Sequence, residues 1–438
     1  MIIVKVTTKS PSVQGDCVGF NKIVTSFPCN CDMINEHEIS QFFLKYKDTR
    51  TMEKTPDKTK LLAFREEIDA IDSQLVKLVT ERMQTAAKIA DYKRDVGMPV
   101  FDPVRERQKL AKIAELAGEE FGGYSRQLYS LIFELTRDYE NKLIGEKTPL
   151  YEQIIHAIDD TPKLFPASPR VACQGTEGAY SMYAAEKLVQ NPQIEYVKTF
   201  EDVIRAVETG YVRYGILPIE NSTAGEVGAV YKLLEKHPVY IVKATRVKVE
   251  HSLMVNPGVE LSEIKEIISH EQAIGQCSRY IETMPGVKVT YAANTAVAAR
   301  MVKESGRRDL AAISSHKCAQ LYGLKEAVRD IQNTDNNYTR FLCISKDIEI
   351  YPGADKTSVM LVTENEPGSL YKVLSRFFAL GISLTSLLSK PIEGRDFEFR
   401  FFLDFDTSVY SPEFAALIQT LDDCCEEFRY MGSYRETR

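Results

Sequence analysis

Gly215-Ile-Leu-Pro-Ile-Glu-Asn-Ser-Thr-Ala-Gly-Glu226 decides how the middle of this chain folds. An apolar run ends in a carboxylate, an amide and hydroxyls, and then a glycine. A buried strand delivers polar groups in this way to a cleft at its end, where a helix N-terminus can hold an anion. A matching cluster, Asp335-Asn-Asn-Tyr-Thr-Arg-Phe341, follows more than a hundred residues later. Around both, short β-branched runs (Val171–Cys173, Gly215–Ile219, Val239–Val242, Val287–Tyr291, Leu310–Ile313) alternate with helical stretches. The alternation predicts an α/β domain with a mainly parallel sheet.

Working outward, residues 345–356, with Pro352-Gly353, read as a linker. Beyond it the pattern predicts strand 357–364, helix 369–380, strands 382–390 and 396–405, helix 411–423 and strand 426–434. That βαββαβ order is the ferredoxin-like arrangement. On the other side, residues 144–169 read as a linker ending in Pro162, Pro166 and Pro169. Residues 57–143 read as helix, punctuated by Gly97, Pro99, Pro103, Gly118, Gly122 and Gly123 into helices over 57–95, 102–118 and 124–143. On the first, Leu61, Phe64, Ile68, Ile71, Leu75 and Leu78 form an apolar stripe. At a rise of ~1.5 Å per residue this helix is too long for so small a domain to cover. A partner chain is expected against it.

The 438 residues are enough for about three domains. Hydrophobic content of 44% and charged content of 27% are those of a soluble globular protein. A net charge of −7 with no basic stripe argues against nucleic acid as a partner. No apolar stretch approaches the ~18 residues of a membrane helix. The nine cysteines are scattered apart from Cys29/Cys31 and Cys424/Cys425, which are not at zinc-ligand spacing, so no metal site is expected. Their odd number, without a signal peptide, fits a reducing cytoplasm. The first residues are rich in Ser, Thr and Lys and faintly resemble a transit peptide. We read 1–56 as a poorly ordered extension or an upstream start, with Met52 a plausible true beginning.

Past Leu78 the apolar stripe runs into Arg82 and Lys93, eleven positions apart and so within ~20° of each other on a helix. Buried cations need anionic partners, from neighbouring helices or from a ligand. Several polar residues converge here: Asp102, Arg105 and Glu106 on the second helix, Thr136 and Glu140 one turn apart on the third. Residues 61–141 resemble the all-helical chorismate mutase domain that opens the bacterial bifunctional P-protein. The resemblance places Arg65, Arg82, Lys93, Asp102, Arg105, Glu106, Thr136 and Glu140 on its active-site positions. Chorismate is a dianion and its rearrangement is unimolecular, so catalysis means holding a compact conformer and stabilising charge at the breaking ether oxygen. The resemblance has Arg82, Arg65 and Arg105 grip carboxylates, Asp102 and Glu106 accept from the ring hydroxyl, and Lys93 donate to the ether oxygen. Arg65, ~80° off the Arg82/Lys93 line, serves the partner subunit's site in this family, an interlocked dimer. Thr136 and Glu140 stand where a well-known family pattern has serine and glutamine. Glu140 must be protonated to donate, so mutase activity is expected to fall with rising pH.

The middle of the chain resembles prephenate dehydratase over four segments. Gly175-Thr-Glu-Gly-Ala-Tyr-Ser181 is a Gly-rich turn, with Ala179 where many relatives have threonine. Glu220-Asn-Ser222 ends a strand, and Ser269-His-Glu-Gln-Ala273 opens a helix. Singly these read as a turn and two caps, with His270 structural. Thr339-Arg340-Phe341 is the fourth. The resemblance makes Thr339 the hydrogen-bond donor to the C4 hydroxyl of prephenate, has Arg340 bind or orient carboxylate, and makes Phe341 the wall of the ring site. Glu220, Asn221, Ser222 and Ser181 complete the substrate contacts. No metal or organic cofactor is required. The family fold is bilobal, like a periplasmic binding protein, with its lobes expected to meet near residues 245 and 325.

The βαββαβ unit resembles the ACT domain that binds phenylalanine at a dimer interface in this family. Gly368-Ser369-Leu370 matches its Gly-Ala-Leu turn. The Glu-Ser-Arg-Pro signature reads here Leu388-Ser389-Lys390-Pro391, which changes the charges near an effector.

The expectation is therefore a cytoplasmic chorismate mutase–prephenate dehydratase, inhibited by L-phenylalanine and assembled as a homodimer or homotetramer. Its parts are the extension 1–56, mutase domain 57–145, linker 146–168, dehydratase domain 169–346 and ACT domain 357–438. The rivals are a prephenate or arogenate dehydratase whose helical domain only dimerises, and a non-catalytic amino-acid sensor.

Overall fold

The computed structural model describes residues 58–144 and 148–437. The expected extension, 1–56, lies outside the described residues. The chain forms two compact units, one ending at Arg82 and one beginning at Met83. Helix α1 (Lys58–Val96) belongs to both; it contains no glycine or proline and stops at Gly97. In the first unit Leu61, Phe64, Ile68, Ile71, Leu75 and Leu78 are 45–62% exposed, so the apolar stripe is uncovered in the single chain.

Helix α2 (Pro103–Ile144) opens with proline in its first turn. Asp102 caps it by accepting the Arg105 N–H at Oδ1, 3.0 Å away. The break expected between 118 and 124 is made by Gly118 alone (φ 73, ψ 177); Gly122 and Gly123 continue the helix. The linker expected over 146–168 needs correcting. Thr148 caps a helix, α3 (Pro149–Asp160), accepting the Tyr151 N–H at 3.2 Å. Leu150, Ile154, Ala157 and Ile158 share one face of it and pack into the core of the C-terminal domain, with Ile154 fully buried. The prolines mark only the end of this segment.

The α/β region has two lobes. In the larger, β1 (Arg170–Gln174) lies between β2 (Gln193–Val197) and β3 (Tyr214–Asn221), all parallel. Helices α4 (Tyr180–Leu188) and α5 (Phe200–Glu208) make the crossovers. Strand β4 (Gly225–Glu226) folds back on β3 and leads into α6 (Gly228–Lys236). Then β5 (Tyr240–Lys248) carries the chain to the smaller lobe. There β6 (Ser252–Val255) and β7 (Glu266–Ser269) are followed by α7 (Glu271–Gln276) and α8 (Ser278–Glu282). After β8 (Lys288–Tyr291), α9 (Thr295–Ser305), β9 (Leu310–Ser314) and α10 (His316–Tyr322), β10 (Lys325–Val328) completes a sheet of order β10-β6-β9-β7-β8. Because β10 still pairs with β6, the return to the larger lobe comes after Val328, not near 325. It is made by β11 (Tyr338–Ser345), antiparallel to both β3 and β5.

The C-terminal domain runs β12 (Lys356–Val362), α11 (Ser369–Ala379), β13 (Ser383–Pro391), β14 (Phe399–Asp406), α12 (Pro412–Cys424) and β15 (Glu427–Thr437). Its strands are antiparallel in the order β13-β14-β12-β15, a ferredoxin-like sheet. This domain is not held apart by its linker. The end of β15 pairs in parallel with β5, Arg435 to Lys243 and Thr437 to Thr245, joining both sheets into one of ten strands. Gly432 permits the crossing: at φ +136, a Cβ there would stand 2.2 Å from the Ile241 carbonyl oxygen. Among the described residues no helix is long and apolar enough to cross a membrane.

Candidate active sites

The parallel strands β1 and β3 are neighbours, so the segments that follow them emerge side by side at their carboxyl ends. In open α/β sheets ligands bind there. After β1 comes the Gly175–Ser181 turn, pressed against the smaller lobe. A Cβ on Gly178, at φ +89, would meet Cys318 Sγ at 2.7 Å, and Cys318 Sγ donates to Gly178 O at 3.3 Å. Ser181 is buried and its hydroxyl donates to Gln174 O at 2.7 Å. It ties α4 to β1 and has no proton left for a substrate.

After β3 comes the central constellation. Asn221 pairs with Thr339 of β11 across the ladder. Its Oδ1 accepts the backbone N–H groups of Thr223 at 3.0 Å and Ala224 at 2.8 Å. Backbone N–H groups only donate, so this contact fixes which end of the amide is which. Nδ2 therefore points the other way, donating to Asn337 Oδ1 at 2.8 Å and to Thr339 Oγ1 at 2.9 Å. The polarity propagates. Asn337 Nδ2 must donate to Gln276 Oε1 (3.0 Å), and Gln276 Nε2 to Thr223 Oγ1 (3.3 Å). His251 Nε2, 2.9 Å from the same Gln276 oxygen, must carry the hydrogen. His251 is buried, its Nδ1 has no partner among the described residues, and desolvation holds its pKa below the ordinary value.

Asn337, Gln276, Thr223 and His251 received no role from the sequence. Asn337 lies inside the quoted Asp335–Phe341 cluster, and Gln276 three residues past Ala273. Their spacing carries no signal, because the contacts that unite them cross between lobes. Ser222 clips the two segments together: its hydroxyl donates to Asn336 O at 2.8 Å and accepts the Tyr338 N–H at 2.9 Å. His270 caps α7, accepting the Gln272 N–H at Nδ1, 3.2 Å away.

The expected roles of Arg340, Glu220 and Phe341 need correcting. Arg340 does not face the same side as Thr339. It is buried against the C-terminal domain, 2.6 Å from Asp404 and 3.3 Å from Glu436, and Glu220, its ladder partner, shares that face. Phe341 is 3% exposed and packs in the larger lobe's core with Val171, Cys173 and Val247, so it walls no ring site. The register slip beside them puts the extra residue, Ile219, on β3, so Arg340 and Phe341 keep the plain alternation of β11.

In the helical region Lys93 Nζ donates to Val100 O at 2.7 Å and pairs with Glu140 Oε2 at 2.9 Å. Glu140 and Thr136 are both buried, and the Thr136 hydroxyl donates to Ile132 O at 2.6 Å. Glu106 is held at Oε1 by Arg137, whose guanidinium also lies over the Phe101 ring. Asp102 spends Oδ1 on its cap, and Arg105 is exposed. Arg65 and Arg82 are carried by α1 in the first unit. On the other face of α2, Glu134 Oε2 accepts from Ser375 Oγ at 3.1 Å, and Asp138 lies 3.6 Å from Arg376. Burial raises the pKa of both acids.

In the C-terminal domain Gly368 (φ 91) opens α11, and Ser369 is buried with its hydroxyl unpartnered among the described residues. With Leu370 and Tyr371 they border a groove of about 280 Å³ walled by Phe397, Phe399 and Phe401. Ser389 is exposed on β13. Lys390 next to it forms an ion pair with Glu226, which takes that charge away from the groove.

Residues 171–349 match the prephenate dehydratase family, and residues 64–141 match chorismate mutase type II. The bifunctional chorismate mutase/prephenate dehydratase of Escherichia coli K12 is 29% identical over 382 residues, 85% of this chain and 96% of the relative. The chloroplastic arogenate dehydratase/prephenate dehydratase 2 of Arabidopsis thaliana is 33% identical over 311 residues, covering 68% of this chain and 81% of the relative. Among solved structures, prephenate dehydratase from Arthrobacter aurescens in complex with L-Phe is 26% identical with a TM-score of 0.56, covering 61% of this chain and 90% of that one. The chain belongs to the prephenate dehydratase family and carries a chorismate mutase type II domain ahead of the dehydratase.

Proposed function

We propose that the chain performs two consecutive steps of phenylalanine biosynthesis: chorismate to prephenate in the helical domain, then prephenate to phenylpyruvate in the bilobal domain. The observation that carries the second step is the forced orientation of the Asn221 amide. Thr339 Oγ1 accepts from Asn221, so its one hydrogen remains available to a ligand, and among the described residues no protein acceptor takes it. That hydrogen would meet the C4 hydroxyl of prephenate. As the bond from C1 to its carboxylate breaks, the electron pair enters the ring and the C4–O bond leaves with its own pair. The products are phenylpyruvate, carbon dioxide and, with one proton from solvent, water. Threonine is a poor acid, so Thr339 contributes a preorganised hydrogen bond and not the proton itself.

For the first step Lys93 and a protonated Glu140 would donate to the ether oxygen. Glu106, held at one oxygen by Arg137, would accept from the ring hydroxyl with the other. Arg65 and Arg82 would take the carboxylates, one of them from a second copy packed along the uncovered stripe of α1. We assign the C-terminal domain to the ACT group, with the aromatic-walled groove beside Gly368, Ser369 and Leu370 as half of a phenylalanine site shared between two chains.

The test is to supply chorismate to the purified chain and follow prephenate and phenylpyruvate separately, with and without phenylalanine. Phenylpyruvate formed from chorismate alone, and suppressed by phenylalanine, is the expected result. Prephenate that accumulates unchanged removes the second step. A second reading, supported by the name of the Arabidopsis relative, is that arogenate is the better second substrate. Phenylalanine produced from arogenate faster than phenylpyruvate from prephenate would establish it.

A further inference from the structure

Thr339 and Arg340 are consecutive on β11 and serve opposite faces of the sheet. Thr339 meets Asn221. The Arg340 side chain, 10% exposed, is enclosed by the C-terminal domain. Its Nη1 donates to Asp404 Oδ2 at 2.6 Å, its Nη2 to the Tyr434 hydroxyl at 2.8 Å, and its Nε lies 3.3 Å from Glu436 Oε2. These partners are themselves fixed. Asp404 Oδ1 accepts from Ser358 Oγ at 2.5 Å, and Ser358 Oγ lies 2.8 Å from the Tyr434 hydroxyl. The charge of Arg340 is compensated by Asp404, which it hydrogen-bonds, and by Glu436 beside it.

β11 pairs regularly with β5 from Tyr338 to Cys343, but its pairing with β3, the strand that carries Asn221, is interrupted. Pairing between β3 and β11 slips between Arg340 and Phe341, directly beside the Thr339–Asn221 pair. At such a slip the β3 side of the ladder loses a regular bond, and with it part of what holds Asn221 against Thr339. The C-terminal domain grips both sides of it: β11 through Arg340, and the β3–β4 hairpin through the Lys390–Glu226 ion pair.

We propose that Arg340 is a positioning residue for the dehydration. Clamped by Asp404 and Glu436, it fixes β11 so that Thr339 Oγ1 stays against Asn221 with its hydrogen aimed at the leaving hydroxyl. The proposal rests on the dehydratase reading above. It makes the C-terminal domain part of the catalytic geometry, since that domain supplies the carboxylates that anchor the neighbour of Thr339. A misplacement of about 1 Å at a reacting contact costs on the order of 100-fold in rate.

The experiment uses the full chain with Asp404→Asn and Arg340→Lys, which keep size and leave no bare charge in the cluster. Phenylpyruvate formation from prephenate gives kcat and KM, and chorismate mutase activity in the same preparation reports folding. Expected is a loss in kcat of ~10-fold or more, with KM within about twofold and the mutase rate unchanged. A raised KM with kcat intact would show that Arg340 binds substrate and overturn the proposal, as would full activity in both variants. A variant that loses mutase activity as well shows that the cluster holds the whole fold and not the site, which also rejects it. If the wild-type chain makes no phenylpyruvate from prephenate, it is the dehydratase reading that fails.

Discussion

Asn221 Nδ2 donates to Thr339 Oγ1 at 2.9 Å, and the direction of that bond is set by two backbone N–H groups on the opposite side of the amide. A hydroxyl has one hydrogen and can accept more than one bond. By occupying the acceptor side, Asn221 converts an ordinary threonine into a donor of defined direction. The site's chemistry thus begins in the turn after β3 and not at Thr339 itself.

Asn221→Asp tests that relation with almost no change in shape. A carboxylate can only accept, so the Thr339 hydrogen would turn toward residue 221 and away from a ligand. Dehydratase kcat is expected to fall about 100-fold, the scale of losing one preorganised donor. Mutase activity in the same protein should be unaffected. Retention of kcat would mean that the hydroxyl is aimed by something else.

His251 links the same network to pH. Its imidazole is buried and neutral, and its folded pKa is depressed below 6.5 by desolvation. In the window below ~6.5 the unfolded chain takes up a proton that the folded chain refuses, so stability is lost as pH falls. Urea unfolding at pH 7.5 and pH 5.5 should show this loss for the wild type. Replacing His251 by glutamine, which can still donate to Gln276, should reduce the difference.

Legibility followed the range of the interactions. The end of β3, the β11 cluster and the βαββαβ order of the C-terminal domain were readable, because strand alternation and turn residues are local signals. The orientations of Arg340 and Phe341 were not. The two side chains alternate regularly along β11, but what covers each face is set from afar, and the partners of Arg340 lie more than sixty residues away. Gln276 was invisible for the same reason, as was Lys390, whose charge answers Glu226 across a domain boundary. Helix α3 was masked by the prolines after it and by a partner core two hundred residues distant.

That last element gives a stability prediction. Ile154 is fully buried among Val359, Phe377 and Leu417 of the C-terminal domain. Ile154→Ala removes its side chain beyond Cβ and leaves a cavity, at a cost of ~2–5 kcal/mol. The unfolding transition of the C-terminal domain should move to lower urea. If residues 149–160 were a passive linker, the midpoint would stay where it is.

Glu140 decides the pH response of the first activity. In the free protein it pairs with Lys93 at 2.9 Å, and that pair is the arrangement a substrate has to displace. Lys93 can donate to an ether oxygen in its ordinary charged form. Glu140 can do so only when protonated, so the two donors act together below the pH at which Glu140 loses its proton and only Lys93 remains above it. Mutase kcat/KM is therefore expected to decline with rising pH. Glu140→Gln supplies an N–H at every pH, so its profile should be flat and should lie above the wild type at the alkaline end. Lys93→Gln should lower the rate at all pH values, because the cation that pairs with Glu140 is lost. A wild-type profile that is already flat would mean that Glu140 acts as a carboxylate, orienting Lys93 and leaving the ether oxygen to the lysine alone.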